Sequence, residues 1–335
     1  MVSITGFLFC AAIIFIAGKK LSYYGNIIAE LTGLGRAWIG LILLASVTSL
    51  PELMTGISAA AIVQSADLAV GNIFGSCAFN LGILALMDAF VPKKRPIFGH
   101  APQVPIHIAT ASVSIVLLAL GGLGLFLPDD IVIMPGISLV SISFIAIYFF
   151  AIRMIYQIQL RNLVADTLSN EKKRIQEISL KRAVSLFAVF GIITIVASLF
   201  LPNYAEDIAH NTGLSESFFG TLFLAASTSL PEIAISFAAV RVGSIDLSIG
   251  NLLGSNLFNI FVLGISDLFY TRGHLLKEAS PYHLISVLAT VIMTAVAIAG
   301  LTYHSETKRF RMAWDAIIIF VTYVINLLLV YRLTG

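Results

Sequence analysis

Apolar residues run along this chain in stretches of about 20 or more, long enough to cross a hydrocarbon core of about 30 Å as helices. Short polar clusters interrupt them, and the pattern predicts ten spans: about 3–26, 36–63, 67–91, 104–127, 131–156, 181–202, 214–240, 246–270, 281–302 and 312–332. One polar stretch is long: 157–180 includes Glu171, Lys172, Lys173 and Arg174 and has the amphipathic pattern of a short soluble helix. It separates two five-span halves, 1–156 and 181–335. The first apolar run is followed by Gly18-Lys19-Lys20 and no small-residue cleavage site, so it is expected to stay as a span.

The halves share motifs. Thr48-Ser49-Leu50-Pro51-Glu52 recurs as Thr228-Ser229-Leu230-Pro231-Glu232, 180 residues on. Gly71-Asn72-Ile73-Phe74-Gly75-Ser76-Cys77-Ala78-Phe79-Asn80 is matched by Gly250-Asn251-Leu252-Leu253-Gly254-Ser255-Asn256-Leu257-Phe258-Asn259 at an offset of 179. Asp67 pairs with Asp246 and Asp88 with Asp267 at that same offset. The chain is therefore a duplication, with one motif region at 45–80 and the other at 225–259. Because five is odd, the second half must enter the membrane the other way up. Inverted repeats of this kind place a substrate site near the midplane and let one half rock or slide against the other, as an alternating-access transporter does. The expected fold class is an all-α membrane protein of ten transmembrane helices in two inverted-topology five-helix repeats.

Composition agrees: 58% hydrophobic residues, 11% charged and a mean hydropathy of +0.96 describe an integral, multi-pass membrane protein of the cell membrane. Lys and Arg then set the orientation, since they collect in cytoplasmic loops. With the N-terminus outside, the inner loops hold Lys19, Lys20 and Arg36, Lys93 to Arg95, the cluster from Arg153 to Arg182, Arg241, and Lys308, Arg309 and Arg311. Only Arg272, Lys277 and Arg332 of the 20 basic residues fall outside, together with the acidic Asp129, Asp130, Glu206 and Asp207. The 157–180 loop is cytoplasmic in this orientation.

Glu52 and Glu232 carry the candidate chemistry. A carboxylate inside a span costs about 3 kcal/mol on insertion scales and marks a partner, a cavity or an ion pathway. Neither span offers a Lys or Arg at depth. Pro51 and Pro231 each remove a backbone donor and free a carbonyl about four residues earlier. Thr48 and Ser49 lie four and three residues before Glu52, and Ala45 one turn further, so these oxygens share a helix face. Ala225, Thr228, Ser229 and Glu232 repeat the arrangement. On the next spans Asn72, Ser76 and Asn80, and Asn251, Ser255 and Asn259, recur every four residues as polar stripes. Four converging stripes predict an all-oxygen cage with two negative charges. It suits a hard cation: Ca²⁺ takes six to eight oxygens at about 2.3–2.6 Å, and Na⁺ accepts the same donors. Cys10 and Cys77 are the only cysteines and no histidine sits in either motif, so soft-metal chemistry is not expected.

Other polar residues are assigned bland roles. Gly71, Gly75, Gly250 and Gly254 suit close helix packing. Asp67, Asp88, Asp246 and Asp267, near span ends, are expected to be interfacial caps or pathway vestibules. His100, His107, His210, His274, His283 and His304 lie in or near loops and are assigned surface roles. No His-Glu-x-x-His zinc motif and no Ser-His arrangement at depth supports an enzyme. A channel would more naturally form by oligomeric symmetry around one pore.

The paired Thr-Ser-Leu-Pro-Glu and Gly-Asn-x-x-Gly-Ser-x-x-x-Asn blocks resemble the α-repeats of the cation/Ca²⁺ exchanger superfamily, in its Na⁺/Ca²⁺ exchanger branch of prokaryotic type. The resemblance covers nearly the whole chain. It implies a secondary antiporter exchanging Na⁺ for Ca²⁺, with Glu52 and Glu232 as central ligands and Thr48, Ser49, Thr228 and Ser229 beside them. Ser76, Asn80, Ser255 and Asn259 would complete the site, and the carbonyls near Ala45 and Ala225 would contribute. The implied partners are Ca²⁺, Na⁺ and membrane lipid, with no nucleic acid and no cofactor beyond the transported ions; the chain is expected to function as a monomer. Where family members often have glycine before Thr-Ser, this chain has Val47 and Ser227. Asn259 stands where K⁺-dependent members, and some prokaryotic ones, have aspartate, which disfavours K⁺ cotransport and leaves two strong acids. Gly75 and Gly254 stand where the proton-coupled branch carries glutamate, which favours Na⁺ over H⁺. The alternative is a Ca²⁺/H⁺ or other cation antiporter, K⁺-, Li⁺- or Mg²⁺-linked, of the same superfamily.

Overall fold

The computed structural model describes residues 2–92, 96–126, 132–134, 137–166, 178–209, 222, 224–303 and 307–334. The helices are α1 (Val2–Thr32), α2 (Arg36–Val63), α3 (Ala66–Asp88), α4 (Val104–Gly124), α5 (Leu139–Asp166) and α6 (Leu180–Ala209). The second half continues with α7 (Ala225–Thr228, then Leu230–Arg241), α8 (Ile245–Leu268), α9 (His283–Tyr303) and α10 (Trp314–Thr334). Among the described residues, all but α7 are long and apolar enough to cross a membrane. The expected span 214–240 covers α7 up to its last residue, Arg241, and residues 214–221 and 223 lie outside the described set.

Two expectations need correction. The fifth span begins at Leu139 and not at 131, because β1 (Val132–Met134) and β2 (Ile137–Ser138) form an antiparallel hairpin ahead of it. Its Val-Ile run favours an extended chain. At its other end α5 runs on to Asp166, inside the stretch read as linker; Glu171 to Arg174 lie outside the described residues. So do Lys93, Lys94, Arg95, Asp129, Asp130, His210 and His304. Lys19 and Lys20 are not in a loop but stand exposed within α1. Their long stems let the ammonium groups reach along an apolar surface toward water.

α3 and α8 are the innermost helices: 83% and 89% of their spans are buried, against 28% for α1, α5, α6 and α10. The inversion can be read from what α8 touches. Gly250 packs on Ala37, Gly254 on Leu41, Gly56 on Ser266, and Thr271 donates to Gln64 at 3.0 Å, so α8 runs alongside α2 in the same direction. α2 turns back into α3 through Gln64 (φ 58°) and Ser65, whose hydroxyl caps the Leu68 N–H at 3.2 Å. α3 is therefore antiparallel to α8, its own repeat.

Four aspartates fasten the two halves together. Asp67, in the first turn of α3, accepts from Ser280 N at 2.7 Å and meets His283 Nε2 at 2.9 Å. Asp246, in the first turn of α8, accepts from Gln103 N at 3.1 Å and meets His107 Nε2 at 2.9 Å. Asp88 accepts from Ile97 N at 2.8 Å and Ala313 N at 2.7 Å. Asp267 accepts from Leu275 N at 2.7 Å, Ser138 Oγ at 3.2 Å and Ser141 Oγ. Capping is the role these residues take. The surface role expected of the histidines is wrong for two of them: His107 and His283 are buried, each ring closed onto an aspartate of the other half. His100 and His274 are half-buried.

Lys308 completes the Asp88 corner, its ammonium 2.9 Å from the carboxylate, 3.1 Å from Val91 O and bonded to Asp88 O, with both side chains fully buried. Lys308→Met strands a buried carboxylate and is expected to cost about 3–5 kcal/mol. Adding Asp88→Asn should recover part of that loss. Thermal unfolding in detergent measures both; an unchanged midpoint for Lys308→Met contradicts the assignment.

Candidate cation site

α2 breaks at Ser49 (φ −89°, ψ 9°) and α7 at Ser229 (φ −84°, ψ 8°), both in the sparsely populated bridge region. Pro51 and Pro231 cause the breaks, since neither can donate to the carbonyl four residues back. Wide π-helical turns precede each break, at Ile39–Leu44 and at Leu222 and Leu224. Such turns are frequent at functional sites. Glu52 and Glu232 consequently sit in the first turn of a fresh helix, where the helix dipole favours a carboxylate.

Both glutamates are fully buried, and among the described residues neither has a cationic partner. Each accepts one hydrogen bond from the opposite half. Ser49 Oγ donates to Glu232 Oε1 at 2.9 Å, and Ser229 Oγ donates to Glu52 Oε1 at 3.0 Å. Ser255 Oγ adds a bond to Glu232 Oε1 at 3.2 Å. Thr48 Oγ1 lies 3.1 Å from Leu44 O and 3.2 Å from Ala45 O; Thr228 repeats this with Leu224 O and Ala225 O at the same distances. A hydroxyl that gives its one proton to a helix carbonyl keeps lone pairs for another partner. The Ala45 and Ala225 carbonyls also receive the Ser49 and Ser229 N–H groups, at 2.9 and 3.0 Å.

Glu52 Oε2, Glu232 Oε2, Ser76 Oγ, Asn80 Oδ1 and Asn259 Oδ1 remain, all buried with no hydrogen-bond partner among the described residues. Buried carboxylate and amide oxygens left unpaired are costly. All five are oxygens, the donor type that a hard cation takes. The residues expected at the site lie on α2, α3, α7 and α8, and of these Ser49, Ser229 and Ser255 bond the two carboxylates.

Three asparagines outside the expected ligand set also belong to this region, Asn72 and Asn251 from the polar stripes and Asn256, which the sequence did not single out. Asn251 Oδ1 lies 3.4 Å from Thr48 Oγ1 and its Nδ2 donates to Ser236 Oγ at 3.0 Å. Asn72 Oδ1 lies 3.3 Å from Thr228 Oγ1, but Gly56 stands where the other repeat has Ser236, and among the described residues Asn72 Nδ2 has no partner. Both asparagines thus contact the threonines of the opposite motif. Asn256 was passed over because it falls one residue beyond the four-residue stripe. Asn80 Nδ2 donates to its Oδ1 at 3.0 Å, its own Nδ2 donates to Cys77 O at 3.1 Å, and the Cys77 thiol lies 3.8 Å from Asn256 O. The packing role of Gly250 and Gly254 is plain: a Cβ on Gly250 would lie 2.5 Å from Ala37 O, and one on Gly254 2.7 Å from Leu41 Cα.

The family described as sodium/calcium exchanger protein matches residues 2–157 and 182–332. The chain belongs to the sodium/calcium exchanger protein family. Among individual relatives, the sodium/calcium exchanger MaX1 of Methanosarcina acetivorans is 25% identical over 338 residues, covering 91% of each chain. The inner membrane protein YrbG of Escherichia coli is 28% identical over 259 residues, 75% of each chain. The putative antiporter CaxA of Alkalimonas amylolytica is 29% identical over 260 residues, 75% of this chain and 76% of that one. A solved structure of the sodium-calcium exchanger NCX_Mj, soaked with 10 mM Na⁺ and zero Ca²⁺, matches with a TM-score of 0.71 at 20% identity over 97% of this chain and 98% of that one. That likeness carries the fold, an all-α membrane protein of two repeats. As a member of the sodium/calcium exchanger family the protein is a multi-pass membrane antiporter of the cation/Ca²⁺ class, a transporter and not an enzyme.

Proposed function

We propose that the protein exchanges Na⁺ for Ca²⁺ across the cell membrane by alternating access, through one cation site between its halves. The observation that carries this reading is the set of partnerless buried oxygens around Glu52 and Glu232. In it, the two carboxylates are the central ligands. Thr48, Ser49, Thr228 and Ser229 lie beside them, Ser76, Asn80, Ser255 and Asn259 complete the shell from α3 and α8, and the carbonyls of Ala45 and Ala225 contribute. Two negative charges balance one Ca²⁺ or two Na⁺, so the ions compete for the same oxygens. A bound cation turns the Ser49 and Ser229 oxygens from donors to the opposite carboxylate into ligands, which changes the bonds that tie the halves together. Inverted repeats 1–156 and 181–335 then move about that site.

The orientation that goes with this has the N-terminus outside and the 157–180 loop cytoplasmic, on the strength of the Lys and Arg distribution. Both walls of the site come from one chain, which supports a functional monomer with lipid around α1, α5, α6 and α10. Na⁺ is the coupling ion favoured by Gly75 and Gly254, and the name of MaX1 supports it. The test is to load reconstituted vesicles with Ca²⁺ and impose an opposing Na⁺, K⁺, Li⁺ or H⁺ gradient. Ca²⁺ efflux is expected with Na⁺ alone. Efflux driven only by a pH gradient overturns the Na⁺ reading in favour of Ca²⁺/H⁺ exchange.

A further inference from the structure

We infer that Asn256 is a positioning residue that locks Asn80 with its side-chain oxygen toward the cation, while Asn259, the counterpart of Asn80 in the other repeat, has only the weak Cys77 thiol beside it and can turn. The inference rests on the cation site proposed above.

Cys77 and Asn256 occupy the same position of the two repeats, 179 residues apart, and meet where the two innermost helices cross. The orientation follows from a group that can only accept. Cys77 O is a backbone carbonyl, so the Asn256 atom 3.1 Å away must be the amide nitrogen. Asn256 therefore turns its oxygen to Asn80, and the Asn80 atom 3.0 Å from it must in turn be the nitrogen. That leaves Asn80 Oδ1 as the atom turned away from Asn256, buried and without a hydrogen-bond partner among the described residues. All three residues are at most 1% exposed, so solvent does not compete for these bonds.

The second repeat lacks this relay. Where Asn256 stands in α8, α3 has Cys77, whose thiol is a weak donor and offers no amide to hold Asn259. Among the described residues Asn259 Oδ1 and Nδ2 make no regular hydrogen bond, and the amide meets only the Cys77 thiol, a weak sulfur contact. Turned one way Asn259 is an oxygen ligand; turned the other it presents an NH₂ group that repels a cation. The site thus pairs one pre-oriented neutral ligand with one that must be ordered by the ion.

The test measures equilibrium Ca²⁺ binding to the purified protein in detergent, the KM for Ca²⁺ of Na⁺-driven exchange in vesicles, and the thermal midpoint. Asn256→Cys is expected to weaken Ca²⁺ binding and raise KM about tenfold, the worth of one charge-assisted contact, with kcat changed less than about threefold. In a double-mutant cycle the effect should vanish on an Asn80→Ala background and persist in full on an Asn259→Ala background. The double swap Cys77→Asn/Asn256→Cys should restore affinity and transfer the sensitivity from Asn80 to Asn259. Unchanged Ca²⁺ binding in Asn256→Cys, or equal coupling to both asparagines, overturns the relay. A lower midpoint with equal loss on both backgrounds also overturns it, by making the role merely structural. If Glu232→Gln binds Ca²⁺ like the wild type, the cation site itself has failed; if Glu232→Gln loses binding while Asn256→Cys does not, only the relay has.

Discussion

Glu52→Gln and Glu232→Gln are each expected to abolish exchange, lowering Ca²⁺ affinity by about a thousandfold or more without unfolding the protein. One unit charge acting on another at about 4 Å in an effective dielectric of about 20 is worth about 4 kcal/mol, and a divalent ion doubles it. Even after partial compensation by neutral oxygens, about 4 kcal/mol remains, which is a thousandfold. The fold should survive because glutamine keeps the oxygen that accepts from Ser229 in one half and from Ser49 and Ser255 in the other. It also removes a buried charge that has one unpartnered oxygen. The thermal midpoint without ions should therefore stay level or rise, and the stabilisation that Ca²⁺ gives the wild type by mass action should disappear. Wild-type exchange rates in both variants would remove the site. A midpoint that falls sharply would instead make the glutamates structural.

Much of this was legible in the chain because the informative features are local. A carboxylate in an apolar stretch is visible without a fold, and so is its repetition as Glu52 and Glu232. The inverted arrangement followed from counting spans. What escaped depends on partners distant in sequence. His107 looks like a loop-edge histidine until α8 brings Asp246, 139 residues away, to its ring. The reciprocal exchange of Ser49 and Ser229 between the carboxylates could not be told from a serine bonding its own helix. Asn256 falls one residue past a four-residue stripe, so periodicity passed over it. The hairpin before α5 was hidden for another reason: an apolar run of Val and Ile does not by itself distinguish a buried strand from the start of a span.

Gly254→Ala is expected to destabilise the protein by about 3 kcal/mol and to lower exchange at least about tenfold in the molecules that still fold. The added Cβ would meet Leu41 O, lie 2.7 Å from Leu41 Cα and 2.9 Å from Ala45 Cβ. None of these is the end of a flexible side chain, so α2 and α8 must part. Ser255 follows Gly254 directly and Thr48 lies one turn past Ala45, so the first contacts to stretch are those of Thr48 with Asn251 and Ser255, already at 3.4 and 3.5 Å. The damage to packing thus reaches the cation site within one helical turn. Gly25→Ala in α1 is the matched control: its Cβ would meet only Leu44 and Phe187 side-chain atoms, at 3.6 Å and beyond, and helix propensity favours alanine by about 1 kcal/mol. Thermal unfolding and Na⁺-driven Ca²⁺ flux should therefore move in opposite senses for the two substitutions, down for Gly254→Ala and level or up for Gly25→Ala. Equal behaviour would mean that the α2–α8 contact yields without cost, and that the glycine is not what holds the two motif copies at bonding distance.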